Sequence, residues 1–346
     1  MGRWTERRVV NTTTDGDADG SVALLPLLDW ISRQPDEIDL ELACIEHPDP
    51  GRGPRGRTVA VVPGCLAQAA PHLLLELLVL GAASVTTATG GCKDHQLLRD
   101  RSVPLVALLE RLGHADRLRV DDTRGRERRR PVLSATSMPV SRRQLFLLSE
   151  PERRQLPDTT ATAHQRLVAA VRELASSAST TAATAPPVPE GPARCLTSQG
   201  CTGCGVCVHA CPERALDIEV AADDGRAADP QAEDTRRHGA ETTLWMQPSS
   251  CSGCRGCIDL CPTGALADHG PHDWDALLDD SWTALESLTT VVCHRCKGRF
   301  PAGDGQLCPV CAFRSAEPFG TTLPPEVLRR LGPDVARRLT ERSRSV

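Results

Sequence analysis

One cysteine pattern occurs twice in this chain and leaves little freedom to what surrounds it. It reads Cys201-x2-Cys204-x2-Cys207-x3-Cys211-Pro212, and fifty residues later Cys251-x2-Cys254-x2-Cys257-x3-Cys261-Pro262. Zinc knuckles come as isolated C-x2-C pairs, without a third cysteine two residues on and a Cys-Pro behind it. Disulfides fit poorly, because nothing in the sequence routes the chain to an oxidising space. The small residues Gly203, Gly205, Gly253 and Gly256 suit a backbone that must fold its N–H groups around sulfur. Pro212 and Pro262 fix the chain as it leaves each turn.

This doubled run resembles the bacterial dicluster ferredoxins, which hold two 4Fe-4S cubanes and in which the fourth cysteine of each run ligates the other cluster. The resemblance implies one cluster on Cys201, Cys204, Cys207 and Cys261 and a second on Cys251, Cys254, Cys257 and Cys211. It also implies an α+β ferredoxin domain over residues 194–269 and single-electron chemistry.

A chain of 346 residues holds more than such a module, and two or three domains are expected. The net charge of −5 and an aromatic content of 3% argue against a nucleic-acid partner, since neither a basic face nor a stacking surface is provided. Arg7-Arg8 is followed by a polar stretch rather than the apolar region of an export signal. The longest apolar run, Leu73 to Ala83, is broken by Glu76 and is too short to cross a bilayer. No membrane association and a cytoplasmic location are therefore expected.

Ahead of the ferredoxin-like part, residues 38–120 read as an α/β unit. Strands are expected at Ile38–Ile45, Thr58–Pro63 and Ser84–Ala88, and helices at Pro71–Leu80 and Asp94–Leu112. Alternation of this kind argues for a parallel sheet with binding loops at its strand ends. Residues 121–193 read as linker: a charge run at Arg124–Arg130, helices at Ser141–Leu148 and Thr160–Ala175, and an Ala/Thr/Pro-rich stretch over Ser176–Pro192. Residues 221–241 read as an acidic insertion between two strands, Ala215–Val220 and Thr242–Gln247, and Trp274–Leu288 reads as a helix.

Residues 289–315 carry Cys293-x2-Cys296 and Cys308-x2-Cys311, paired knuckles that suit a four-thiolate site. A small zinc-ribbon-like module with a structural zinc is expected. A single iron in a rubredoxin-like site and a redox-active disulfide pair are the alternatives.

The N-terminal segment Val59-Ala-Val-Val-Pro-Gly-Cys65, with Ser84-Val-Thr-Thr-Ala-Thr-Gly-Gly-Cys92-Lys-Asp-His95 and Leu108-Leu-Glu-Arg-Leu-Gly113, resembles the delta, iron-sulfur subunit of methyl-viologen-reducing hydrogenases and the same domain in heterodisulfide-reductase components. The resemblance implies a flavodoxin-like α/β fold, a 2Fe-2S cluster on strand-end cysteines, and electron passage between a hydrogenase or formate dehydrogenase and a flavin-bearing partner. Cys44, Cys65 and Cys92 match family positions, whereas His47 and His95 stand where further cysteines would be. Two readings remain open. In one, His47 or His95 completes a Cys3His site for 2Fe-2S or zinc. In the other the site has decayed and the three thiols are packing residues. Cys195 has no assigned partner.

No G-x-G-x-x-G turn follows a strand and no G-x4-G-K-[ST] loop is present. Without a site for a two-electron substrate, the chain reads as a non-catalytic electron-transfer subunit of a multi-subunit oxidoreductase, partnered by a hydrogenase, a formate dehydrogenase or a flavin/NAD(P) module. The alternative is a flavin- or metal-containing reductase whose α/β domain is fed by the cubanes.

Overall fold

The protein is represented by a computed structural model that describes residues 24–120, 127–139, 154–177, 189–221, 239–303 and 305–316. The chain divides into two compact units, residues 1–189 and 190–346.

In the first unit, α1 (Leu25–Ser32) precedes β1 (Ile38–Cys44), and β2 (Arg52–Pro54) leads into β3 (Arg57–Val62). Then follow α2 (Pro71–Val79), β4 (Ala82–Ala88), α3 (His95–Arg111), β5 (Leu118–Val120), β6 (Glu127–Arg129), β7 (Val132–Ser134) and α4 (Ala163–Ser176). Five strands form a parallel sheet in the order β5-β4-β1-β3-β7. Leu40, Leu42, Val59, Ala60 and Val85 are buried, as expected for central parallel strands covered on both faces. The helix α4 opens with a capping box between Thr162 and Gln165.

The flavodoxin-like expectation holds for four strands and fails for the fifth. In a flavodoxin-like sheet the strands run second, first, third, fourth, fifth across the sheet. Here the last strand, β7, lies beside the second, β3, at the opposite edge. A buried ion pair accompanies this placement, with Arg57 on β3 also 3.5 Å from the same carboxylate. Glu41 lies on the central strand β1 with its side chain 8% exposed, and its charge needs a partner there. Arg130 supplies it with two hydrogen bonds, of 2.7 and 3.0 Å, and donates also to the Pro54 carbonyl. The reading of the charge run at 124–130 as a solvated loop is thus corrected at Arg130, whose side chain is buried, while Arg128 and Arg129 on β6, which pairs with β2, are exposed. The α/β unit also extends past residue 120 through β7 and α4. The helix expected at Ser141–Leu148 lies outside the described residues.

The second unit begins with β8 (Glu190–Ser198), inside the stretch read as linker and ahead of the boundary expected at residue 194. It continues with α5 (Val206–Ala210), β9 (Leu216–Val220), β10 (Ala240–Met246), α6 (Gly256–Asp259), β11 (Leu266–Asp273), α7 (Trp274–Leu278), β12 (Thr283–Val292), β13 (Arg299–Pro301) and α8 (Pro309–Ala316). β8 pairs with β11, and a second sheet has the order β13-β12-β10-β9. Between them Leu196, Leu216, Leu244, Met246 and Leu266 enclose the buried thiols Cys207 and Cys257. β9 and β10 are antiparallel neighbours, and most of the acidic insertion between them, residues 222–238, lies outside the described residues.

The helix expected over Trp274–Leu288 is corrected. Asp273 caps a single short helix by accepting from the Ala276 N–H, and that helix ends at Leu278. The rest is β12, whose Thr283, Thr289, Thr290, Val291 and Val292 favour an extended backbone and which pairs along β10. Among the described residues, no helix is long and apolar enough to cross a membrane.

Candidate redox and metal centres

Each repeat turns its backbone N–H groups onto its own sulfurs. Gly203 N donates to Cys201 Sγ at 3.3 Å, and the Gly253 N–H donates to the Cys251 sulfur. The N–H of Ala215 meets Cys211 Sγ, and that of Ala265 meets Cys261 Sγ, both at 3.3 Å. The tight turns need left-handed dihedrals at Gly203 and Gly253, where φ is 64° and 75°. A side chain at Gly253 would also collide with the Pro192 carbonyl.

Eight sulfurs line two apolar cavities. Cys201, Cys204, Cys207 and Cys261 surround one, beside Leu244 and Leu266. Cys211, Cys251, Cys254 and Cys257 surround the other, beside Leu196 and Met246. The fourth cysteine of each run thus stands with the other run's first three. Burial, reinforced by neighbouring sulfurs, pushes Cys207 up to about 12 and Cys257 up to about 11. Thiols so placed lose their protons only to a strong local positive charge, which bound metal supplies. Cys204 and Cys254 are exposed, so each cavity has one sulfur at the surface.

The two cavities differ in their charged neighbours. Glu286 on β12 accepts from Ser198 Oγ at 2.6 Å, Gly200 N at 2.9 Å and Cys201 N at 3.0 Å. Burial works to raise its carboxyl, but the Ser198 hydroxyl and the two N–H groups outweigh that and hold it below the usual range. It stays ionised beside the Cys201 set. Arginines flank the Cys251 set instead: Arg194 binds Asp268 at 2.9 Å, and Arg255 reaches the same carboxylate at 3.2 Å. Arg255 stands where the first repeat has Gly205, and both positions are left-handed. Sequence reasoning passed over Glu286, Arg194, Arg255 and Asp268. The Gly205/Arg255 difference between the repeats was the one visible signal.

Sulfur spacing separates cluster sites from sites for one ion. A tetrahedral ion with metal–sulfur bonds of about 2.3 Å sets its sulfurs about 3.8 Å apart. Among the described residues, two groups of three or more have all ligand atoms within 4.8 Å: Cys293, Cys296, Cys308 and Cys311, and Cys44, Cys65 and Cys92. The two ferredoxin sets spread wider than that.

In the four-cysteine group Cys296 Sγ lies 3.7 Å from Cys308 Sγ. Cys308 N donates to Cys293 Sγ at 3.3 Å, and Lys297, at φ 62°, closes the first knuckle by donating to the Cys293 carbonyl. Burial would raise the Cys293 thiol, but the N–H groups of Cys296, Cys308 and Arg295 draw it down to about 6. β12 and β13 carry the first knuckle and α8 starts in the second, with Phe300 beneath them.

In the N-terminal group Cys44 ends β1, Cys65 follows β3 and Cys92 follows β4. Cys65 Sγ and Cys92 Sγ are 3.7 Å apart, and Leu66 N donates to Cys44 Sγ at 3.2 Å. Burial pushes the Cys44 thiol up to about 11. His47 and His95 do not join the group. His47 Nδ1 accepts from Asp49 N, and His95 Nδ1 is engaged with the Cys92 carbonyl, both at 3.2 Å. Cys195 on β8 is half-buried and belongs to neither group.

A family model for a 4Fe-4S dicluster domain matches residues 200–265, which includes all eight repeat cysteines. Curated proteins give no match to the chain.

Proposed function

We infer an iron-sulfur electron-transfer role for this chain, supported by the match of residues 200–265 to a 4Fe-4S dicluster domain. We propose that it carries two such clusters, on Cys201, Cys204, Cys207 and Cys261 and on Cys211, Cys251, Cys254 and Cys257, and serves as the relay subunit of a cytoplasmic multi-subunit oxidoreductase. The observation that carries this reading is the pair of four-sulfur cavities, each exchanging its fourth cysteine with the other repeat.

When bound, the clusters accept and release one electron at a time. The chain's own residues do the rest. Leu196, Leu244, Met246 and Leu266 keep water from the cavities, and N–H groups on the sulfurs favour their anionic state. The exposed Cys204 and Cys254 give each cavity a surface point for exchange with a partner. A hydrogenase, formate dehydrogenase or heterodisulfide-reductase-like component, or a flavin/NAD(P) module, would supply the two-electron chemistry for which the chain shows no nucleotide motif. The tetrahedral spacing of Cys293, Cys296, Cys308 and Cys311 favours a structural zinc of ribbon type in the same unit.

Anaerobic reconstitution with iron and sulfide tests the relay. About eight irons per chain and an interacting pair of reduced-cubane EPR signals are expected. Fewer than about six irons with no interacting signal would sink it. Flavin absorbance surviving iron removal would instead favour the reductase alternative.

A further inference from the structure

The three-cysteine group of the first unit sits where an open α/β sheet binds its ligands. In a doubly wound sheet that place is the crevice outside the carboxyl ends of the strands at the point where strand order reverses. Here β1 lies between β4 and β3, and Cys44, Cys65 and Cys92 leave the carboxyl ends of those three neighbours. Three strands that are separate in sequence therefore deliver one sulfur each to a single point.

The geometry points to a mononuclear thiophilic metal site on Cys44, Cys65 and Cys92, with its fourth coordination position open to a small soft ligand such as a thiol. Three observations carry this. All three sulfurs lie within 4.8 Å of one another, with one pair at 3.7 Å. That matches the edge of a tetrahedron about one ion of zinc type, about 3.8 Å. A two-iron cluster holds its ligands in pairs on separate irons and needs a wider set with a fourth member.

The second observation is the aim of the backbone. Leu66 N donates to Cys44 Sγ, and the N–H of Asp94 donates to the Cys92 sulfur, so two of the three sulfurs receive the support that metal-bound thiolates use. The third is that, among the described residues, no fourth ligand atom joins the three sulfurs. Both nearby histidines are turned to other partners, and His47 Nε2 lies against Gly90. Cys65 is half-buried while Cys44 and Cys92 are buried, so the open side of the group lies toward Cys65. Gly64 beside it faces empty space, with nothing within 4 Å of where a Cβ would stand. Sites with three protein ligands and an open position are those that bind an exogenous group, whereas four-cysteine sites are closed.

Cobalt reports both the ion and its open position in the full-length protein. After iron and sulfide reconstitution, anaerobic titration is expected to load about two Co2+ per chain, with thiolate-to-cobalt absorption. One should vanish in Cys65→Ser and the other in Cys296→Ser, with iron content unchanged in both. Added 2-mercaptoethanol should shift the visible cobalt bands of the Cys65-dependent ion and leave those that persist in Cys65→Ser unmoved. Zinc loading of the wild-type chain should also protect the half-buried Cys65 from iodoacetamide, a readout that needs no variant. The proposal is overturned if Cys65→Ser loses two irons rather than one cobalt. It also falls if cobalt stoichiometry is unchanged in that variant, or if a Cys65–Cys92 disulfide forms in place of metal uptake.

Discussion

Glu286 sets the charge beside one cluster site and leaves the other alone, so Glu286→Gln should shift one reduction potential and spare its neighbour. The carboxylate is 3.0 Å from Cys201 N. The sulfur of that residue lies at most about 4 Å beyond its own nitrogen, which bounds the separation at about 7 Å. At that distance two unit charges interact by about 2.4 kcal/mol at an effective dielectric of about 20 and about 0.6 kcal/mol in bulk water. Since about 59 mV corresponds to a tenfold change for one electron and about 1.36 kcal/mol, these limits translate to about 100 and 25 mV. Glu286 is half-buried and the added electron spreads away from Cys201, so the lower half of that range applies. Removing the charge eases reduction, and the cluster on Cys201, Cys204, Cys207 and Cys261 should move positive by about 30 to 60 mV. EPR-monitored redox titration of wild type and variant reads this directly. A shift below about 10 mV, a negative shift, or equal shifts of both clusters would refute the electrostatic assignment.

Breaking the buried fork between Arg166 and Glu76, at 2.7 and 2.6 Å, should destabilise the first unit. Glu76→Ala should cost about 3 to 5 kcal/mol in chemical denaturation, because it strands a buried guanidinium. A Glu76→Leu/Arg166→Met pair should recover most of that loss. Cys296→Ser should abolish high-affinity zinc at the C-terminal group with no change in iron, as read by metal analysis after dialysis. Asp268 is held below its usual range by hydrogen bonds from Arg194 and the Gly270 N–H and by the charges of Arg194 and Arg255. Its contribution to stability is therefore complete above the unfolded carboxylate value near pH 4 and is lost as pH falls through the depressed native value. Asp268→Asn should lower stability at neutral pH and flatten the acid limb of the melting-temperature profile.

How much of this was legible in the sequence depended on whether local order carried the information. The doubled cysteine run declares its chemistry because three ligands lie within one turn. β1, α2 and α3 were also readable, since periodicity and end signals lie inside each element. Long-range pairing was not. β7 reaches its sheet edge through Arg130 and Glu41, residues 89 apart whose partnership no local pattern announces. β12 was misread because Trp274–Leu278 starts as a true helix, and only pairing with β10 shows that Thr283–Val292 is extended. The spacing of Cys44, Cys65 and Cys92 likewise follows from strand order rather than from sequence, which offered His47 or His95 as a ligand where the structure turns both to other partners.

β12 belongs to two structures at once. Its middle holds Glu286 against the Cys201 turn, its residues 283–290 shield the edge of β10, and Cys293 of the four-thiolate group follows directly after its last residue. The knuckle is therefore not a detachable appendage. Cutting the chain before residue 283 would leave β10 with an unpaired edge, open to association with other chains. Loss of the metal proposed for the knuckle would loosen the strand that carries Glu286 beside the Cys201 turn. On the proposed assignments, the electronic setting of the Cys201 site is thus tethered mechanically to the occupancy of the knuckle.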